Sequence, residues 1–408
     1  DRPDGPPLNS NVRHRMPLPS NFLASLTSPH LREILERLKS QDRPKGAVRW
    51  TLRNEIAPSD LYCYLWARFG PPNGLQNFLR KDDSDNLIHW EWHLTGSDGW
   101  VAFQGMNFRT EIWLIGQFPF QEEDKAELFS QIKSDFASHG KRMSEVRKAL
   151  ENWIEFVNPY ARIRSSVEKL LVELASLELR PEDEAIPDLD TAELLPPDRW
   201  GDIFSRYSKG LGLCFGIRSM LPVMAEAFVN LLLFMLLRPE IKTDDRLREN
   251  AIRQPIDVRV KSLHMTCIGF ATPVDYQHAA CKAYHSMVNE RNDLLHGNVV
   301  LEKLRFNEVF FNDRVPVFKQ YRSLWQRSVG VEIESVGLHR LHKEVETVNA
   351  LIDYLKSCLK PQVRDHIERV SSVRDLGLNT ANGRVGILFP GHLVDMWPVT
   401  EPAREGDA

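Results

Sequence analysis

The run Arg291-Asn292-Asp293-Leu294-Leu295-His296-Gly297 sets an arginine and a histidine five positions apart, with two short polar residues after the arginine and a glycine after the histidine. A guanidinium grips a phosphate through paired N–H donors. An imidazole takes up and returns a proton near neutral pH. Together they are a minimal apparatus for cutting RNA without a metal. Spacing alone is a permissive signal. In a chain with 13 histidines, roughly three Arg–His pairs at such spacing arise by chance, and Arg259 to His264 is a second instance.

Context separates the later pair from the background. Arg291 follows an amphipathic helical run, Tyr276 to Leu295, in which Ala280, Tyr284, Met287 and Val288 are core candidates. Five residues along a straight helix set two side chains about 140° apart. The pair therefore meets only if the helix unwinds near Leu295, and Gly297 is the residue type expected just past such an end. Asn292 and Asp293 are short enough to hold the arginine or a phosphate.

Glu290 to Gly297, with its flanking helices, resembles the HEPN superfamily of all-helical domains over roughly residues 200–360. HEPN ribonucleases carry an arginine, usually a polar residue next, then a histidine; those positions are Arg291, Asn292 and His296. The apolar helix with Glu226 and Asn230 is similar to the preceding helix of that group. The resemblance implies a metal-independent endoribonuclease without a cofactor, working as a homodimer whose two Arg–His motifs face each other. The 2′-hydroxyl of RNA would attack the adjacent phosphorus, so DNA should be spared. His296 would transfer the proton and Arg291 would clamp the scissile phosphate. Asn292 would orient, with Asp293 and Glu226 in support. The implied role is a toxin or antiphage effector, with an antitoxin or a phage-derived trigger as further partners. The alternative is a non-catalytic HEPN-type module that dimerises and binds a protein or nucleic acid, with Arg291 held by Glu290 or Asp293 and His296 closing a helix end.

A second constellation is His89-Trp90-Glu91-Trp92-His93. On a strand, His89, Glu91 and His93 share one side, and Trp90, Trp92 and Leu94 the other. Two histidines and a glutamate would suit a divalent metal, but no fourth ligand is evident. A polar outer face over an aromatic core is the plainer expectation. Trp50, Trp66, Trp90, Trp92, Trp100 and Trp113 likewise read as core rather than as base-stacking residues. The basic stretch Lys242 to Lys261 is interrupted by Asp244, Asp245, Glu249 and Asp257, as on a solvated helix face.

At 408 residues with net charge -4, the chain is long enough for two or three cores and is not a generally basic nucleic-acid binder. Five scattered cysteines without CxxC spacing suit buried thiols in a reducing cytoplasm. No export signal is evident near the start. The most apolar segment, Leu221 to Leu237, reads as a core helix, with no membrane partner expected. The expected class is mainly α, a C-terminal HEPN-like bundle preceded by a small α+β domain with an antiparallel sheet. In order come a disordered tail (1–20), an α+β sensor or partner-binding domain (21–120), a helical connector with an acidic Pro-rich linker (121–199), the bundle (200–362), and an extension and tail (363–408). The main boundary is expected at Arg180 to Pro197. His139-Gly140 reads as a break between helices, and the spacing Val146, Leu150, Ile154 as one helical face.

Overall fold

Alternating residues after His89 form an antiparallel hairpin closed by Ser97-Asp98, with Gly96 paired to Gly99. Short turn residues between β-prone runs favour this closure. The computed structural model describes residues 17–39, 46–74, 88–106, 109–185, 197–297, 299, 301–318, 323 and 325–388. It divides into two units, one up to Asn152 and one from Trp153 to Leu388. Residues 1–16 of the expected N-terminal tail, the C-terminal tail and the Pro-rich stretch 186–196 lie outside the described residues; residues 17–20 are not a disordered tail, because Leu18 is buried in the first core and the Pro19 carbonyl accepts from Gln131 Nε2 (2.9 Å).

The first unit contains α1 (Phe22–Ser25), α2 (Leu31–Lys39), β1 (Ala47–Leu52), α3 (Pro58–Phe69), β2 (Trp90–Gly96), β3 (Gly99–Gly105), β4 (Thr110–Gly116) and α4 (Lys125–Ala149). The strands form one antiparallel sheet in the order β1-β4-β3-β2. Trp50, Trp92, Phe103, Ile112 and Leu114 share a core with Leu61, Tyr64 and Leu65 of α3 and with Leu128 and Ile132 of α4. Burying each such side chain stabilises by about 1.5–3 kcal/mol. The outer edge of β2 is covered. The Asn73 amide donates to the His93 carbonyl (2.9 Å) and accepts from its N–H (2.8 Å), and the Gly74 N–H reaches the Glu91 carbonyl (3.0 Å). A covered edge does not pair with other chains.

Two helix expectations are corrected here. Helix α4 runs unbroken through His139-Gly140. A Cβ at Gly140 would meet nothing within 4 Å, and a helical glycine costs only about 1 kcal/mol, less than the packing of Leu128, Ile132 and Met143 contributes. The helical spacing through Ile154 also fails. The helix ends at Ala149, and the chain enters a strand.

That strand, β5 (Trp153–Val157), opens the second unit. It is followed by α5 (Pro159–Ser176), α6 (Pro197–Leu236), α7 (Pro239–Lys242), α8 (Asp245–Arg253), α9 (Ile256–Thr266), α10 (Ala279–His296), α11 (Leu301–Leu304), β6 (Val309–Asn312), β7 (Val315–Phe318), α12 (Val331–Val336), α13 (Leu341–Ser357), α14 (Pro361–Ser371), β8 (Asp375–Asn379) and β9 (Val385–Gly386). Residues 239–266 form three separate short helices, with Pro255 as the break before α9.

Helix α6 is the central element. Ile217, Leu221, Phe228 and Leu232 are buried with Leu263 of α9, Tyr284 and Met287 of α10, Leu351 and Leu355 of α13 and Ile367 of α14. By length and composition α6 could cross a membrane, and 56% of its most apolar window is buried within the protein. An all-round apolar helix is what such a core requires. All five cysteines are buried and free.

The expected boundary at Arg180 to Pro197 moves to Asn152-Trp153. The reason is packing: α5 lies along α6, and β5 pairs with β8 more than two hundred residues later. One side chain ties these parts together. Buried Asn158 caps α5 by accepting from the Tyr160 N–H (3.1 Å) and donates to the carbonyls of Val370 (3.1 Å) and Val373 (3.0 Å). Residues 363–388 are accordingly part of this unit and not an appended extension.

Candidate functional site

Helix α10 carries the Arg–His motif, and its sequence positions it locally. His278 caps the start, its Nδ1 accepting from the Ala280 N–H (3.3 Å). Cys281, Tyr284 and Met287 bury one face. Gly297 ends the helix in the left-handed region (φ 63, ψ 32), its N–H reaching the Asp293 carbonyl. Glycine adopts that conformation without the Cβ penalty. The expected unwinding near Leu295 does not occur, because the helix continues through His296 before Gly297 stops it.

The positions of Arg291 and His296 therefore stay about 140° apart on one helix. Arg291 lines up with Tyr284, on the side that meets α6. The His296 position falls on the stripe of His285 and Asn289, both exposed, and of half-buried Asn292. The side chain of His296 lies outside the described residues.

Arg291 is half-buried. Its Nη1 donates to Asn292 Oδ1 (3.1 Å), and its buried Nε has no hydrogen-bond partner. No carboxylate pairs with it among the described residues. Its sequence neighbours are engaged elsewhere. Glu290 accepts from Arg340 Nη1 (3.3 Å) and lies 3.9 Å from Arg218 Nη2. Asp293 is half-buried and engaged.

Glu226, expected in support of Arg291, instead pairs with Arg259, whose Nη1 also donates to Asn230 Oδ1 (2.5 Å). This removes the competing Arg259–His264 pair from consideration, since Arg259 is buried and neutralised. His264 Nδ1 accepts the Val274 N–H (3.4 Å). Tyr284 sits between these groups and donates its hydroxyl to the Pro222 carbonyl (3.1 Å). Burial pushes its phenol well up, and the Glu226 charge adds to this against Arg291 and Arg259.

Sequence reasoning missed the buried pair behind this face. Arg218, within α6, donates from Nε to Glu344 Oε2 (2.8 Å), from Nη2 to Glu344 Oε1 (2.5 Å) and from Nη1 to the Val336 carbonyl (2.5 Å). The available signal was an arginine three residues before the most apolar stretch of the chain, on the same helix. Such a group is tolerated there only when paired.

The second constellation does not assemble as a ligand set. Glu91 is buried rather than outward-facing, and it accepts from Gln104 Nε2 (2.6 Å) with His93 Nε2 at 3.2 Å. His89 precedes the strand, and no group of three metal-ligating side chains occurs among the described residues. Trp50 and Trp92 are fully buried core residues, as expected of a small sheet. In the Lys242 to Lys261 stretch, Arg248 pairs with Asp245 (2.6 Å) and Lys261 with Asp257 (3.1 Å), as on a solvated helix face.

Comparison of the chain with protein-family models, with characterised proteins and with solved structures found no match.

Proposed function

We propose that the second unit is a HEPN-type, metal-independent endoribonuclease that acts as a toxin or antiphage effector. One observation carries the reading. Arg291 keeps its guanidinium free of any carboxylate among the described residues, whereas the buried Arg218 and Arg259 are each matched to a glutamate. An arginine held in place by an amide oxygen, with its charge uncompensated, is prepared for an external anion.

In this reading Arg291 binds the scissile phosphate and the charge that develops on it. Asn292 holds the guanidinium in orientation. His296 carries the proton transfer. The 2′-hydroxyl loses its proton and its oxygen bonds to phosphorus, while the bond to the 5′-oxygen breaks and that oxygen gains a proton. The products are a 2′,3′-cyclic phosphate and a 5′-hydroxyl. Two copies of the chain supply two imidazoles, one to take the proton and one to return it. In this reading the second copy supplies the imidazole that reaches the phosphate, since residues five apart on one straight helix stand about 140° apart. RNA is the substrate, and an antitoxin or phage-derived trigger is the expected control.

The competing reading is a non-catalytic module that dimerises and binds a protein or nucleic acid. The observation in its favour is that Arg291 is half-buried on the α6 side of α10 while His296 holds a position on an exposed stripe. RNA cleavage in excess EDTA, by wild type against Arg291→Ala and His296→Ala, separates the two. The ribonuclease reading expects cleavage with cyclic-phosphate ends by wild type alone. The module expects none.

A further inference from the structure

Just past the end of α5, the chain builds one wall of a cleft in the second unit. Glu178 takes a left-handed conformation (φ 46), and the chain turns back at Arg180, whose carbonyl accepts from the N–H groups of Asp183 (3.1 Å) and Glu184 (3.0 Å). Glu184 anchors this turn to α6. It accepts from the Tyr207 hydroxyl (2.6 Å) and pairs with Arg206, whose Nη1 also donates to the Leu177 carbonyl (3.0 Å). The other wall is Ile333 and Glu334 of α12, with Leu338 and His339 after it. The cleft encloses about 760 Å³, inside the range of roughly 300–1,000 Å³ found for small-molecule sites.

We infer that this cleft binds an aliphatic diamine or polyamine, a methylene chain with an ammonium group at each end. The lining has the two parts such a ligand needs. Leu174, Leu179, Ile333 and Leu338 supply apolar surface from both walls. Glu178, Glu182, Asp183 and Glu334 supply four carboxylates against one guanidinium, that of Arg180, 4.0 Å from Glu178. Glu182, Asp183 and Glu334 are exposed and have no cation partner among the described residues, in contrast to Glu184 beside them. Carboxylates on both walls suit a ligand charged at both ends, and the apolar residues suit the methylenes between. A lysine stem uses surfaces in the same way, lying along apolar side chains while its ammonium stays at the polar edge. The excess of carboxylate disfavours an anion. A bare metal ion would leave the apolar walls unused, and no group of three metal-ligating side chains occurs among the described residues. No strand lines the cleft, so an extended peptide has no ladder to join. The site stands apart from the ribonuclease reading, since its test reads heat of binding and not cleavage.

The test is calorimetric titration of the full chain with two terminal diamines of equal charge, diaminopropane and diaminooctane. Diaminooctane should bind at least about 5-fold tighter, because it buries more methylene surface. Added salt should weaken both. The triple variant Glu182→Gln, Asp183→Asn and Glu334→Gln should weaken diaminooctane binding at least about 10-fold. Its melting temperature should be unchanged, because these carboxylates are exposed and hold no partner. Glu240→Gln with Glu346→Gln, at exposed acids elsewhere in the unit, should leave the affinity as it is. Equal affinity for the two diamines would reduce the effect to charge alone and overturn the inference. So would binding indifferent to the triple variant, the absence of binding by either diamine, or a lysine-bearing peptide that binds where the free diamines do not.

Discussion

Replacing Glu344 with glutamine should destabilise the second unit more than any exposed substitution, although it changes one atom. The Arg218 side chain is 7% exposed and that of Glu344 11%, and two N–H donors of the guanidinium point at the two carboxylate oxygens. Glutamine keeps one acceptor and removes the charge. Arg218 then stays ionised inside an apolar helix face, and breaking a buried pair by removing one partner costs about 3–5 kcal/mol. Part of this is recovered if Arg218 turns toward Glu290, now 3.9 Å away. A net loss of about 2–4 kcal/mol is expected. Urea unfolding followed by the helical circular dichroism signal measures it. The double variant Arg218→Met with Glu344→Met should recover most of the loss, since no unpaired charge remains. A loss below about 1 kcal/mol for Glu344→Gln, or a double variant as unstable as the single one, would show that the pair is solvated and refute the reasoning.

Two further outcomes follow from single positions. Gly297→Ala should cost about 1 kcal/mol and lower the melting temperature by roughly 2–4 °C, while Gly297→Asn should cost less. A Cβ there meets nothing within 4 Å, so an unchanged melting temperature in Gly297→Ala would contradict the left-handed end of α10. In the first unit, burial acts to raise the Glu111 carboxyl, but hydrogen bonds from Arg109 and Trp113 and the charges of Arg109 and Arg49 outweigh it and hold it below the usual range. A carboxyl depressed on folding contributes stability that is present above its unfolded value, about 4.3, and is lost as pH falls through the folded value. The first unit should weaken across that acid window, and Glu111→Gln should flatten the dependence; an equally steep acid loss in the variant would assign it to another group.

The legible parts of the chain were those decided locally. The β2–β3 hairpin was readable because turn residues sit between two β-prone runs, and the end of α10 because Gly297 follows an amphipathic pattern. The core role of α6 followed from a stretch too apolar for a surface helix. What escaped was set by distant partners. The spacing of Val146, Leu150 and Ile154 suits a helix, but β5 is held as a strand by Leu376 and Leu378 in β8, which no local pattern announces. His139-Gly140 looked like a break, yet the local cost was smaller than the packing on either side. At the site, Arg291 and Asn292 were found together, whereas Glu226 was drawn to Arg259 from another helix. That choice depends on how α6, α9 and α10 cross, and spacing within one helix is silent on it.

The central claim rests on Arg291 and His296, and cleavage of RNA by the purified full chain in excess EDTA tests it most directly. The account predicts that wild type leaves 2′,3′-cyclic phosphate and 5′-hydroxyl ends, that a matched DNA is spared, and that Arg291→Ala and His296→Ala each lower the rate by at least about 100-fold. Cleavage that persists in both variants, or that vanishes in wild type when the metal is removed, would contradict it.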